Sequence, residues 1–239
     1  MNNKIRFYFV FQIMLTFTFF GHTQAQEKYF DVSQVTAFDY GYNFEMSGGG
    51  YEYSSFIPIG WNKNGEFVSF QLNNGGMAML SPSISVFNLK TNKSTDTPLS
   101  SNPDEYEFSD ELKNQKINEA IKKYQIEFWG TGNYIRKKEL PQNSKYASLK
   151  FISNRDIFKL SVITKNGQEK ILYATKLNKG TRNDVDNRME GAESIDYVGY
   201  FIHPGNPKQI MIILMHKYVY AGYEFANVYS ENWIGFRLD

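Results

Sequence analysis

Alternation of apolar and polar residues with a period of two dominates this chain, and it is clearest around Gly65 and Gly167. The stretch Ile59-Gly60-Trp61-Asn62-Lys63-Asn64-Gly65-Glu66 is a turn signal that runs straight into a strand. There Val68, Phe70 and Leu72 point one way and Phe67, Ser69 and Gln71 the other. A second strand, Ser83 to Leu89, follows a connection through Gly75-Gly76, and Pro82 marks its start. Ile84 and Val86 share one of its faces and Phe87 and Leu89 the other, the pattern of a strand covered on both sides. Lys90-Thr91-Asn92-Lys93 is a polar turn leading toward Leu99. A strand–turn–strand unit of this kind cannot bury its apolar face alone, so the rest of the chain is expected to be organised around residues 59–99.

Beyond Asn102-Pro103-Asp104, a loop, the period changes to that of a helix. Leu112, Ile117, Ala120, Ile121, Tyr124 and Phe128 fall on one stripe, Ser109 or Asp110 can cap its start, and Gly130 is expected to stop it. Lys113, Lys116, Lys122 and Lys123 lie off the stripe. A lysine-rich amphipathic helix can lie on a membrane; here Glu111, Asn114, Asn118 and Glu119 dilute the charge and point to core packing. Tyr134 to Leu140 reads as a short strand or extended link closed by Pro141, and Ala147 to Ile152 as a strand. Ile157–Thr164 and Lys170–Leu177 then pair across Lys165-Asn166-Gly167-Gln168, since Asn-Gly is the strongest short hairpin signal. Ile195 to Ile202 is a strand, His203-Pro204-Gly205-Asn206-Pro207 a rigid turn, and Ile210 to Met215 six apolar residues in a row, the most core-like segment after residue 25. Ile234, Phe236 and Leu238 alternate with Gly235 and Arg237 in a C-terminal strand. Tyr29, Phe30 and Val32 suit a short strand near the start.

The first 25 residues follow a different logic. Lys4 and Arg6 precede an apolar run from Phe7 to Phe20, broken only by Gln12, Thr16 and Thr18, and Thr23-Gln24-Ala25 has the small residues a signal peptidase needs. The run is shorter than the ~20 residues of a membrane span. Residues 1–25 are therefore expected to be a cleaved signal peptide and 26–239 a single secreted or periplasmic β-rich domain, with no transmembrane anchor after cleavage. Losing Lys4 and Arg6 leaves 24 basic residues against 25 acidic ones. That balance argues against a nucleic-acid or anionic-membrane partner. The chain has no cysteine, so neither disulfides nor an N-terminal lipid-modified cysteine are expected. Its 17 tyrosines and 20 phenylalanines suit pleated, half-buried surfaces.

Residues that could carry chemistry are few. His203 sits in a turn, where a turn-forming or solvated role is the expectation, and His216 ends an apolar strand, where a hydrogen-bonded role is. The expected mature chain keeps only these two of the three histidines, and with no cysteine that argues against a zinc or copper site. Ser47-Gly48-Gly49-Gly50 lacks the Gly-Lys-Ser/Thr ending of a phosphate loop. No Gly-x-Ser-x-Gly elbow is present. Asp184, Asp186, Glu190 and Glu193 in the polar stretch 180–194 lack the spacing and central glycine of a calcium loop. Asp104, Glu105 and Glu107, like Glu190 and Glu193, are sequence neighbours in loops and do not by themselves make a glycosidase pair, which needs two carboxylates set across a cleft. No catalytic, cofactor-binding or metal-binding residue is assigned. Tyr218, Tyr220 and Tyr223 are the candidate binding surface.

Two resemblances attach to these residues. Trp61-Asn62-Lys63-Asn64-Gly65-Glu66-Phe67-Val68-Ser69-Phe70 resembles the Trp-x-x-Asp-Gly-x-x-(apolar)-x-Phe signature of TolB-type β-propeller repeats, with Asn64 in place of the aspartate, and Ile84 to Lys93 is similar to the next strands of such a blade. In layout, from about Phe56 to Leu238, the chain resembles a bacterial family of predicted secreted proteins with no assigned function. The resemblance implies no catalytic residues. The fold expected is mainly β with one amphipathic helix, its antiparallel hairpins forming two packed sheets or an incomplete propeller-like arrangement. The function expected is a non-enzymatic binding module of the bacterial cell envelope with a protein or glycan partner. The alternative is a carboxylate-dependent hydrolase acting on envelope polymers or glycans.

Overall fold

Apolar residues on both faces of the same strands force this chain into stacked layers. The computed structural model describes residues 37–46, 50–74, 82–99, 110–177, 192–219 and 227–239. The expected signal peptide, the expected strand at 29–32, Gly48-Gly49, Gly75-Gly76, the expected loop at 102–104, most of the 180–194 stretch, Tyr220 and Tyr223 lie outside the described residues. Strands β1 (Tyr51–Trp61), β2 (Glu66–Asn74), β3 (Ser83–Asn88) and β4 (Lys93–Pro98) precede the helix α1 (Asp110–Tyr124). Then follow β5 (Phe128–Trp129), β6 (Asn133–Ile135), β7 (Tyr146–Ser153), β8 (Ile157–Thr164), β9 (Glu169–Lys176), β10 (Ser194–Ile202), β11 (Gln209–Val219) and β12 (Asn227–Arg237).

One mixed sheet runs β4-β3-β2-β1-β12-β11-β10-β6, with β5 also on β1, and β7-β8-β9 form a second, antiparallel sheet. Two packed sheets and one helix are the architecture expected from the sequence, and neither sheet closes into a barrel. In the large sheet, β1 joins β12 in parallel only through Tyr51–Tyr53 and Asn227–Tyr229, after which β5 takes β12's place beside Gly60 and Trp61. The sheet splays there and folds on itself. Phe87 on β3 lies three strands from Trp233 on β12, about 14 Å in a flat sheet, yet their rings are 5.7 Å apart. Trp233 likewise meets Phe56 at 5.1 Å and Phe67 at 5.5 Å.

The folded sheet encloses an aromatic wedge. Phe56, Trp61, Phe67, Phe87 and Leu89 come from one half and Phe201, Met211, Ile213, Met215 and Trp233 from the other. The segment Phe38–Phe44 lies against its rim, with Tyr40 buried and Phe38 stacked on Phe56. The opposite face of the first half carries Ile57, Ile59, Val68, Phe70, Ile84 and Val86, and α1 covers it with Ile117, Ala120 and Ile121. The opposite face of the second half carries Ile210, Ile212, Leu214, Tyr200 and Ile234, and β7–β9 cover it with Leu149, Phe158, Leu160 and Val162. Residues 210–215 are all fully buried because their alternate side chains enter two different cores.

A bulge at Ile59–Gly60 makes this possible in β1. It inserts one residue, so Ile57 and Ile59 both face α1 while Trp61 turns into the wedge. Gly60 has φ +155°, and a Cβ there would sit 2.2 Å from the Phe128 carbonyl oxygen, so only glycine lets β5 approach.

Three expectations need correcting. The helix ends at Tyr124, not near Gly130, and Phe128 belongs to β5. Gln125 takes the left-handed conformation (φ 53°), its N–H donating to Lys122 O and the Ile126 N–H to Ile121 O, the paired bonds of a Schellman cap. Leu112 on the expected stripe is exposed. After the 90–93 turn the polar Lys93–Pro98 segment forms a strand, β4, exposed throughout, where no hydrophobic alternation marked one.

The turn between β1 and β2 is held by Asn62, which is buried. Its Oδ1 accepts from the backbone N–H of Asn64 and of Glu66 at 2.9 and 3.0 Å. Its Nδ2 donates to Glu66 Oε2 at 2.7 Å and to the Tyr124 carbonyl at the end of α1 at 3.1 Å. Replacing Asn62 with Ala leaves two amide donors, a helix-end carbonyl and the Glu66 carboxylate without this partner. The expected cost is about 3 kcal/mol in urea denaturation, since unsatisfied buried groups lose their full desolvation energy. A loss under ~1 kcal/mol would remove Asn62 from this role.

Candidate functional site

Both histidines among the described residues are structural in geometry. His203 is buried in the β10–β11 turn, so the solvated alternative does not hold. Its Nδ1 accepts from the Gly205 N–H at 3.0 Å, which leaves Nε2–H to donate to the Asn62 carbonyl at 2.9 Å. Trp61 and Phe128 flank the ring at 5.2 and 5.6 Å. His216 sits within β11 on the face toward β9. Asn232 Nδ2 donates to its Nε2 at 3.5 Å, leaving Nδ1–H for the Tyr218 hydroxyl oxygen at 3.3 Å. Burial pushes the His216 imidazole down to about 4.

Of the three candidate tyrosines, Tyr218 alone is among the described residues. It is half-buried, packs beside the core under β7–β9 and has its hydroxyl engaged by His216. Among the acids singled out in the sequence, only Glu193 is described, and its Oε2 is enclosed without a hydrogen-bond partner among the described residues.

Among the described residues, the acid with a raised pKa is one the sequence did not mark. Glu231 lies on β12 just past the point where β1 and β12 diverge, on the wedge side of the strand. Part of the residue reaches the surface, but its carboxyl is shut in. The Ser54 hydroxyl donates to Glu231 Oε2, and the Tyr40 hydroxyl donates to the Ser54 carbonyl oxygen at 3.4 Å. Burial raises its pKa, and the charge of Asp96 on β4 adds to the rise. Burial, then Glu231, raise the Tyr40 hydroxyl well above its ordinary value. Through Ser54 the Glu231 carboxyl forms part of a strut between β1, β12 and the segment around Tyr40.

An open cavity of about 260 Å³ lies where residues 143–145, Pro207, Lys208 and the C-terminal Leu238 and Asp239 meet. Lys208 and Arg237 both pair with Asp239, so the charges there are already matched. Among the described residues no group of three His, Asp or Glu side chains is placed to hold a metal, and no helix is long and apolar enough to cross a membrane.

The outer face of the β7-β8-β9 sheet is different. Its register places Lys150 beside Ser161 and Ile171, Ile152 beside Lys159 and Ala174, Ile157 beside Lys176, and Ile163 beside Glu169. Ile152, Ile157 and Ile171 are 38, 46 and 55% exposed, the last two among the largest apolar exposures in the described chain. Three lysines stand among them against one acid. Glu169 accepts from Lys159 at 2.7 Å, Lys150 at 3.0 Å and the Ser161 hydroxyl at 2.8 Å, which pulls its carboxyl down to about 2. The sequence contains the signal for this face in Ile157-Phe158, two adjacent apolar residues in a strand, of which one has to point away from the core.

The pH dependence of folding separates His216 from Glu231. His216 has a folded pKa below its unfolded one, so its contribution is full above about pH 6.5 and falls as pH drops toward 4, by roughly 3 kcal/mol for a shift of this size. Glu231 has a folded pKa above its unfolded one, so its contribution is full below about pH 4.5 and is lost as pH rises through the folded value. Urea denaturation from pH 4 to 8 is expected to show the acid-side loss flattened in His216→Gln. In Glu231→Gln, stability relative to the unsubstituted chain should climb with pH. Parallel pH profiles for all three proteins would contradict both assignments.

Compared with known proteins, the chain matches no family model, no curated protein and no solved structure.

Proposed function

We propose that this chain is a non-enzymatic binding module of the bacterial cell envelope, secreted or periplasmic, and that it binds through the outer face of the β7-β8-β9 sheet. The observation that carries this reading is the mixture on that face: isoleucines 38–55% exposed, interleaved with Lys150, Lys159 and Lys176. Every other apolar sheet face has a cover, from α1, from the folded half of the large sheet, or from β7–β9 themselves. A sheet built only for stability gains nothing from leaving β-branched aliphatic groups in water. The leader-like first 25 residues support an extracytoplasmic site. A protein or glycan partner suits the near-neutral charge of the remaining chain.

The hydrolase alternative would rest on Glu231, the one carboxyl among the described residues with a raised pKa and a second acid, Asp96, near enough to contribute. Its bond to Ser54 and its enclosure favour the structural role. Tyr218, with its hydroxyl taken by His216, supports the core more than a contact surface.

Ile157→Asp/Ile171→Asp changes only exposed positions and should leave the melting temperature within a few degrees. Coupled to a resin, the unsubstituted protein is expected to retain a defined envelope component that the double variant loses. Equal retention by both, from a folded variant, would move the binding site off this face.

A further inference from the structure

The four strands that end the main paths of the two sheets, β4, β6, β7 and β9, are treated very differently. β4 is polar, ends in Pro98 and is exposed throughout. β6 is three residues long. β7 is covered on its outer side by Lys138–Leu140, through Leu149 N–H to Lys138 O at 2.8 Å, Leu140 N–H to Ala147 O at 3.1 Å and a bridge between Glu139 and Ser148. These are the usual ways of blunting an edge: polar side chains and proline, shortness, and cover. β9 is blunted only in part: it carries Glu169, Lys170 and Lys176 and a bulge at Leu172, but it has no proline and no cover among the described residues. It is eight residues long, it lies at the end of its sheet with no strand beside its outer edge among the described residues, and Ile171 stands 55% exposed upon it.

We infer that β9 receives an extended, acidic segment of a partner protein as a fourth strand of the β7-β8-β9 sheet. This deepens the binding-module reading and rests on it. Strand addition draws affinity from main-chain hydrogen bonds and selectivity from the side chains on either face. Main-chain pairing is also what separates a polypeptide from a glycan or a lipid surface, neither of which can complete a ladder. The charge beside the edge selects the sign of the partner. Lys170 and Lys176 stand near the two ends of β9, the first over the Phe236 ring at 5.6 Å and the second with no acid partner among the described residues. The strand's own acid, Glu169, is already held by Lys150 and Lys159. An incoming strand with carboxylates toward its ends and an aliphatic residue near Ile171 would meet complementary groups along its length.

The probe is a fluorescein-labelled, end-blocked peptide alternating glutamate and valine, with a lysine–valine peptide as control. Vesicles of phosphatidylglycerol and phosphatidylethanolamine test the lipid alternative. The glutamate peptide is expected to raise anisotropy, and the lysine peptide is not. Amide hydrogen exchange in the complex should slow within β9 and not in β4 or β6. Lys170→Glu/Lys176→Glu should weaken binding about tenfold or more, the loss of one or two charge contacts. Peptide binding without new protection in β9, vesicle binding alone, or no binding to either would each overturn strand addition. The binding-module reading fails separately, when the isoleucine double variant retains the same envelope component as the unsubstituted protein.

Discussion

Burying both faces of a sheet is the constraint on which this fold depends. Strands β1, β2, β3, β10, β11 and β12 present large apolar groups on alternate sides, and a single sheet has only one inside. The chain meets the constraint three times. The sheet folds so that half of its aromatic groups meet each other, α1 covers one outer face, and β7–β9 cover the other. Each cover buries side chains worth roughly 1.5–3 kcal/mol apiece. No single layer could be removed without exposing a row of them. The wedge itself pays a small polar cost, since the Trp233 indole N–H lies buried with no hydrogen-bond partner among the described residues.

Apolar burial alone does not set how the layers are aligned, because it has no direction. Alignment comes from a few buried polar groups at the ends of the strands. Asn62 ties the β1–β2 turn to the last carbonyl of α1, and its own carbonyl receives His203 from the β10–β11 turn. Gly235 lets β12 come against Leu89, where its N–H reaches Asn92 Oδ1. Ser54, Glu231 and Tyr40 lock the opposite end, where β1 leaves β12. Folding the sheet thus requires both a hydrophobic interior and hydrogen bonds that act only at one relative position of its halves.

What could be read from the sequence follows from this division. Local signals served well. The alternation in β2 and β3, the Asn-Gly hairpin of β8 and β9, and the buried run in β11 each depend on neighbours a few residues away. Elements decided by distant partners were not legible. β4 has no apolar pattern and exists because β3 offers it a ladder. β12 begins seven residues before its visible alternation, because β1 and β11 pair with its polar first half. The helix stripe continued to Phe128 in register, but Ile126 is drawn into the core against Ile121 and the chain turns at Gln125, a residue with no intrinsic preference for that conformation. Glu231 looked like any strand glutamate, since only the divergence of β1 and β12 encloses it. His203 and His216 had the right residue type for chemistry, but their partners, Asn62 and Asn232, are 141 and 16 residues away.

The same reasoning distinguishes the outer face of β7–β9 from every other surface. In the large sheet an outward-facing isoleucine such as Ile57 or Ile84 means a cover exists, and the cover is found. In β7–β9 the inward positions Leu149, Phe158, Leu160 and Val162 already account for the sheet's place in the fold. Ile152, Ile157 and Ile171 therefore contribute nothing to holding the layers together, and their exposure is a cost in the isolated chain. Lys150 and Lys159 gather around Glu169 between them, keeping the face cationic and ordered. That face joins unburied aliphatic groups and positive charge to an eight-residue edge with no neighbouring strand among the described residues, and the proposal of an acidic strand partner rests on this combination.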